Sequence, residues 1–237
     1  MNHESYLRAV GLPEFADHAD AAERGAALVA RPPHATVDAE TVEDRYVYPV
    51  PERGEDGACG VGLADDPYNL APICGLEYDP ERLRDHPNTA RLVALDETVR
   101  RLAEETNPDW LGVYRRATAS DGEAVLVKEA YVGDHSRAEF PLTEAFAERS
   151  NNATVGLTGE AVLVDDVADY DGPYYECDDR VRSEFCCPVL AGDDVVGIVD
   201  AEAHEPEFFD GERVATVAGA CAALADSDLL TPPRVEA

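Results

Sequence analysis

Two apolar runs, residues 182–190 and 195–202, flank the tripeptide Gly192-Asp193-Asp194. A tight turn between strand-like runs forces them to pair antiparallel. Successive side chains of a strand leave opposite faces of the sheet. In the first run Glu184 and Cys186 therefore point one way, Phe185 and Cys187 the other. In the second, Asp200 and Glu202 share a face, with Val199 and Ala201 opposite. If Phe185, Cys187 and Val199 turn toward a core of helices, Glu184, Asp200 and Glu202 converge on the other side. Three carboxyls buried together repel, and at least one should hold a proton at neutral pH. The alternative is a wet acidic face.

The pattern elsewhere fits around this hairpin. Leu92, Leu95, Val99 and Leu102 recur at helical spacing, which predicts an amphipathic helix over 89–105, broken by Asn107-Pro108. Residues 110–114 read as a strand, and Ser120-Asp121-Gly122 turns the chain into a second one at 124–132. Residues 142–156 read as short helices, 161–165 as a short strand, and 167–180 as a loop rich in Tyr, Asp and Gly. Asp210 is the expected N-cap of a last helix over 211–224, whose apolar stripe is Val214, Val217, Ala218, Cys221 and Leu224. The order predicts an α+β fold: an antiparallel sheet of five to six strands, terminal helices on one face and a small-ligand pocket on the other. Upstream, residues 14–30 read as a helix, 45–50 as a strand, and 51–87 as a long irregular arm.

Composition excludes several classes of function. Asp and Glu number 50 against 19 Lys and Arg, a net charge of −31, and Lys128 is the only lysine. Nucleic-acid phosphates need a basic surface, and so do anionic membranes. The acids are spread through periodic segments, which points to a surface adapted to concentrated salt rather than a disordered tail. No secretory pattern or membrane-length apolar run is present, so the expected location is the cytoplasm. The six cysteines contain no C-x-x-C pair and the six histidines no metal-ligand spacing, so neither a disulfide framework nor a metal site is expected.

Four segments carry a resemblance: Trp110-Leu-Gly112-Val-Tyr114, the run from Val162 to Val167, Cys177-Asp178 with Ser183-Glu184, and Gly197-Ile-Val-Asp200-Ala-Glu202 ahead of Phe209-Asp210. In these the chain resembles GAF domains, and among them the free methionine-(R)-sulfoxide reductases. The resemblance covers residues 89–230 as a GAF-like domain and leaves 1–88 as a helical and irregular extension. It implies Cys177 as the attacking thiol, with Asp200 and Glu184 as proton-donating acids. Trp110 and Tyr114 become an apolar wall for the substrate methyl, and Glu184, Asp200, Glu202 and Asp178 hold a free amino acid. The family's resolving cysteines fall near Glu139 and Val155, and neither is cysteine. The resolving thiol is then Cys186, Cys59, Cys74 or an external thiol, thioredoxin-like or small. No bound cofactor is implied, and a homodimer is left open. The competing expectation is a non-catalytic GAF module that senses a small ligand and acts through a partner protein.

Overall fold

A computed structural model describes residues 2–32, 36–53, 59–174 and 178–233. Its centre is a six-stranded sheet: β1 (Trp110–Thr118), β2 (Ala124–Val132), β3 (Glu139–Pro141), β4 (Val162–Val164), β5 (Ser183–Ala191) and β6 (Asp194–Ala203), in the order β3-β2-β1-β6-β5-β4. Every neighbouring pair is antiparallel. The β5–β6 hairpin is the one that the Gly192 turn predicts, and Gly192 adopts the left-handed φ of 68° that this turn requires.

The helices of seven residues or more are α1 (His3–Ala9), α2 (Ala19–Ala27), α3 (Ala39–Tyr46), α4 (Pro87–Thr106), α5 (Asn151–Thr158) and α6 (Gly211–Ala225), with single helical turns at Pro80–Leu83 and Glu144–Ala147. Pro87 sits in the first turn of α4, and Asn107 closes the helix in the left-handed conformation. Asp210 caps α6 by accepting from the Arg213 N–H. Helices α4 and α6 cover one face of the sheet. Leu111, Val113, Phe185, Cys187, Val199 and Ala201 point into that core, together with Leu95, Val99, Val217 and Cys221 from the helices. The opposite face carries Trp110, Tyr114, Cys186 and Ile198, and α5 packs over it.

The first residues complete the same core. Tyr6, Leu7, Val10 and Leu12 are buried in it, and the Tyr6 hydroxyl donates to the Pro188 carbonyl of β5. Helix α2 packs on α6 at backbone contact distance. A Cβ on Gly25 would stand 1.9 Å from the Thr216 carbonyl oxygen, and one on Gly219 would stand 2.1 Å from that of Ala22.

Three expectations upstream of the sheet are corrected. The helix expected over 14–30 is confined to α2, after a single 3₁₀ turn at Pro13–Phe15. His18 leaves helical geometry before α2, and after it the Ala30 N–H turns to the Thr98 hydroxyl instead of a helical carbonyl. Of the strand expected over 45–50, Arg45 and Tyr46 are instead the end of α3, which Asp38 caps by accepting from the Thr41 N–H; Val47–Tyr48 are strand, and Pro49 and Val50 are irregular. The supposedly irregular arm contains two small ribbons, Val47–Tyr48 with Tyr68–Asn69 and Pro51–Arg53 with Cys59–Leu63. Its side chains Tyr48, Leu70, Cys74 and Leu83 form a second apolar cluster against Leu92 and Val127. Pairings this short leave almost no periodicity to read.

One buried ion cluster ties arm, helix and sheet together. Glu129 of β2 receives Arg91 of α4 at 2.5 and 3.0 Å and Arg115 of β1 at 2.6 Å. Burial raises the Glu129 carboxyl, but the two guanidinium groups overcome it and hold the carboxyl below its ordinary value. Arg91 also donates to the Leu229 carbonyl, and Arg115 reaches the Cys74 sulfur at 3.8 Å. Among the described residues no helix is long and apolar enough to cross a membrane.

The α2–α6 contact yields a direct test. Gly25→Ala drives a methyl into the backbone of α6, and overpacking of this kind costs about 1–3 kcal/mol. The expected outcome is a lower urea midpoint with an unchanged m-value; a midpoint equal to wild type would show that α2 is not packed as described.

Candidate functional site

Strand register builds the floor of the site. Trp110, Glu202, Glu184 and Val164 stand in one row across β1, β6, β5 and β4, and Gly112, Asp200, Cys186 and Val162 stand in the next. Glu202 is therefore directly opposite Glu184, and Asp200 is its diagonal neighbour, close enough for carboxyls to meet. Gly112 leaves the second row without a side chain, and the Trp110 indole fills the gap: a Cβ on Gly112 would fall 2.3 Å from Trp110 Cη2. The indole Nε1–H donates to the Asp134 carbonyl at 3.0 Å. Its ring is stacked toward Tyr131 at 6.3 Å and tilted against Tyr114 at 6.2 Å.

Helix α5 supplies the roof. Ser150 caps it by accepting from the Ala153 N–H, which leaves Asn151 and Asn152 in the first turn facing the sheet. Asn151 Nδ2 donates to Glu184 Oε2 at 3.0 Å, and Asn152 Nδ2 donates to Asp200 Oδ2 at 3.0 Å. The Tyr170 hydroxyl donates to Asn151 Oδ1 at 3.1 Å. Asn152 Oδ1 is buried without a hydrogen-bond partner among the described residues. Trp110, Tyr114, Ser136, Phe140, Asn151, Asn152, Glu184, Asp200 and Glu202 enclose a cavity of about 20 Å³, the room of a single water.

Glu184 and Asp200 are both buried and close enough to couple electrostatically, and Asp200 Oδ1, like Asn152 Oδ1, is buried without a hydrogen-bond partner among the described residues. Burial pushes both up, Glu184 to about 8 with repulsion from Asp200 added, and Asp200 to about 7 against the hydrogen bonds it accepts. A carboxylate and a carboxylic acid can share one proton in such a contact; two carboxylates cannot. With both carboxyls raised, the pair is expected to hold a proton at neutral pH.

The cysteines divide by position. Cys177 lies outside the described residues. The Cys59 backbone sits in the second ribbon of the arm, away from the sheet. Cys74 is buried beside Arg115 and Glu129, with its thiol raised by burial, and does not line the cavity. Cys186 is on the cavity face but sealed beneath it, and burial followed by Asp200 and Glu184 pushes its thiol well above the ordinary value. Cys187 and Cys221 belong to the helix-side core. Asp178 does not line the cavity; it is gripped by Arg180 at 2.5–3.1 Å and held low by it. Arg180 also reaches Asp134 on the opposite side, at 2.5 Å. No group of three or more His, Cys, Asp or Glu among the described residues is arranged to hold a metal ion.

Sequence reasoning misses Asn151, Asn152, Ser136 and Phe140. The two asparagines leave one trace: poor helix formers placed right after a Ser cap, where their side chains are available to other partners.

The family model for the GAF domain matches residues 91–227. The chain belongs to the GAF domain family. A type II free methionine-R-sulfoxide reductase from Thermoplasma acidophilum superposes on this GAF domain with a TM-score of 0.52 at 21% identity, covering 60% of this chain and 94% of that one. The substrate complex of the Neisseria meningitidis free methionine-R-sulfoxide reductase gives 0.49 at 20% identity over 57% of this chain and 76% of that one. The GAF domain of an Acinetobacter phosphoenolpyruvate-protein phosphotransferase also gives 0.49, at 16% identity over 59% and 81%. At these identities the likeness is one of fold. No curated protein matches the chain.

The raised carboxyl pair gives a pH prediction for this GAF domain. Both folded-state values stand above those of an unfolded chain, so the folded state binds more protons between about pH 4 and pH 8. The pair's contribution to stability is complete below the unfolded values and is lost as pH rises through the folded ones. Glu184→Gln cannot ionise, so between about pH 5 and pH 9 its thermal midpoint should fall less steeply than that of wild type, by about 2–4 °C over the range. Parallel slopes in the two proteins would contradict the shared proton.

Proposed function

We propose that this GAF domain reduces free methionine-(R)-sulfoxide at the expense of thiols. The observation that carries the reading is the buried Glu184–Asp200 pair, both acids raised by burial, at a cavity walled by Trp110. Sulfoxide reduction needs such a proton, because the oxygen must leave the sulfur as water. The balance is one sulfoxide and two thiols giving one thioether, one disulfide and one water. Cys177 supplies the first thiol and attacks the sulfoxide sulfur, while the pair protonates the departing oxygen. An external thiol, thioredoxin-like or small, supplies the second. Cys186 and Cys74 are poor second thiols, since burial keeps both protonated.

The substrate's two ends match the walls. The indole of Trp110 offers an apolar face to the methyl group. Glu202 and the unpartnered Asn152 Oδ1 accept hydrogen bonds, as a substrate ammonium requires. A cavity of about 20 Å³ must widen to take an amino acid, so Trp110 or the rim joined by Arg180 and Asp134 has to move on binding. The same closed cavity favours the competing reading, a GAF module that binds a small ligand without turnover and signals through a partner protein.

The two readings part in one assay: purified protein, free methionine sulfoxide and dithiothreitol in concentrated salt. The reductase reading expects consumption of the R form alone, loss of activity in Cys177→Ser, and a roughly 100-fold lower turnover in Glu184→Gln. Unchanged turnover in Cys177→Ser would remove the reading. Ligand binding with no turnover in wild type would support the sensor.

A further inference from the structure

Lys128 is the only lysine among nineteen basic residues, and it is fully buried. Its direction depends on a break in the sheet. Going along β2 from its C-terminal end, Val132 and Ala130 point into the helix-side core. Plain alternation would send Lys128 the same way. The β1–β2 register instead shifts between Val113 and Tyr114, so that Val113 pairs with Ala130 and Tyr114 pairs with Lys128. The residue skipped is Glu129, held in place by Arg91 and Arg115. A bulge of this kind re-aims the side chains that follow it. Leu126 and Lys128 accordingly lie on the cavity side of the sheet, beside Tyr114 and Trp110.

There the ammonium is ringed by aromatic faces, 3.9 Å from the Tyr131 centroid, 5.3 Å from that of Tyr48 and 6.0 Å from that of Trp110. It donates to both the carbonyl and the hydroxyl oxygen of Ser136, each at 2.8 Å. An ammonium only donates, so the Ser136 hydroxyl must accept from it and keeps its own proton to give. The Tyr114 hydroxyl, 3.5 Å away, faces the Arg137 carbonyl at 3.4 Å. Lys128 thus holds Ser136 in place, and the Tyr114 hydroxyl lies within reach of both Ser136 and the Arg137 carbonyl. Ser136, Tyr114 and Trp110 all line the cavity, on the β1–β2 side, while the acids lie on β5 and β6.

We propose that Lys128 is a positioning residue of this cavity: from behind Ser136, outside the lining itself, it fixes the Ser136–Tyr114–Trp110 wall and sets a positive charge behind it, on the side away from the acids. The inference deepens the reading of the cavity as a ligand site and rests on it. A cavity polarised in this way suits a ligand bearing both an ammonium and a carboxylate, with the carboxylate toward Ser136.

Two measurements test the proposal, and the first needs no ligand. Trp110 is the only tryptophan, so intrinsic fluorescence reports the wall alone. Lys128→Met keeps the side-chain length and removes the charge and the donors. It should shift Trp110 emission and increase acrylamide quenching; a folded variant with unchanged emission and quenching overturns the proposal. The second measurement titrates the same fluorescence with free methionine sulfoxide and with its carboxamide. Lys128→Met should weaken the carboxylate ligand about tenfold and the amide less than about twofold, and the Lys128→Met, Ser136→Ala double variant should lose no more than Lys128→Met alone. Equal losses for both ligands, or additive losses in the double variant, would overturn it. If Lys128→Met does not fold, Ser136→Ala takes its place: a reduced preference for carboxylate over amide supports the proposal, and an unchanged preference overturns it. If wild type binds neither compound, the reductase reading fails, while the spectral comparison still decides the role of Lys128.

Discussion

The arrangement on which the site depends is the burial of the Glu184 and Asp200 carboxyls side by side. Two acids on adjacent antiparallel strands, two residues out of register and so on one face, are brought together out of water, and that arrangement is costly unless a proton sits between them. The surroundings bear on that cost. Asn151 and Asn152 each donate one amide hydrogen, which favours the ionised form and partly offsets the upward push of burial. Gly112 lets the indole close the space above, and α5 closes the roof. The consequence is a GAF pocket shut down to the size of a water beside two buried acids.

The remainder of the fold holds that pair still. The acids ride on β5 and β6, whose opposite faces are locked by α4 and α6, and these are braced in turn by α1 and α2 from the start of the chain. On the far side, the Arg91–Glu129–Arg115 cluster pins the bulge in β2. The same feature thus joins the arm, through Cys74, to the strand that carries Lys128. Breaking a buried charge cluster by removing one partner is strongly destabilising, so this bulge is expected to be as rigid as the core.

Much of the sheet was legible because strands advertise themselves with period two. Glu184, Asp200 and Glu202 fell on one face, opposite Phe185, Cys187 and Val199, from alternation alone, and the Gly192 turn named the pairing. Lys128 shows where that rule stops: a bulge reverses the alternation, and nothing local in the run 124–132 marks it. Asn151 and Asn152 were hidden for another reason, because their partners lie 33 and 48 residues away. The arm was misread where helix and strand compete over few residues, as at Arg45 and Tyr46, whose β-like composition lost to the Asp38 cap and to the Arg45–Asp96 ion pair. The position of Cys74 beside Arg115 follows from packing between distant segments, which no spacing encodes.

The claim at the centre is the shared proton, and carbon-13 NMR of the side-chain carboxyls reads it residue by residue. In protein labelled at Asp and Glu carboxyls, with Glu184→Gln and Asp200→Asn used for assignment, two resonances should stay in the protonated or shared state through the acid range. They should titrate only near neutrality, while the exposed acids titrate near their ordinary values of about 4. If the Glu184 and Asp200 resonances instead titrate together with the surface acids near pH 4, the pair holds no proton at neutral pH and the account of the site is wrong.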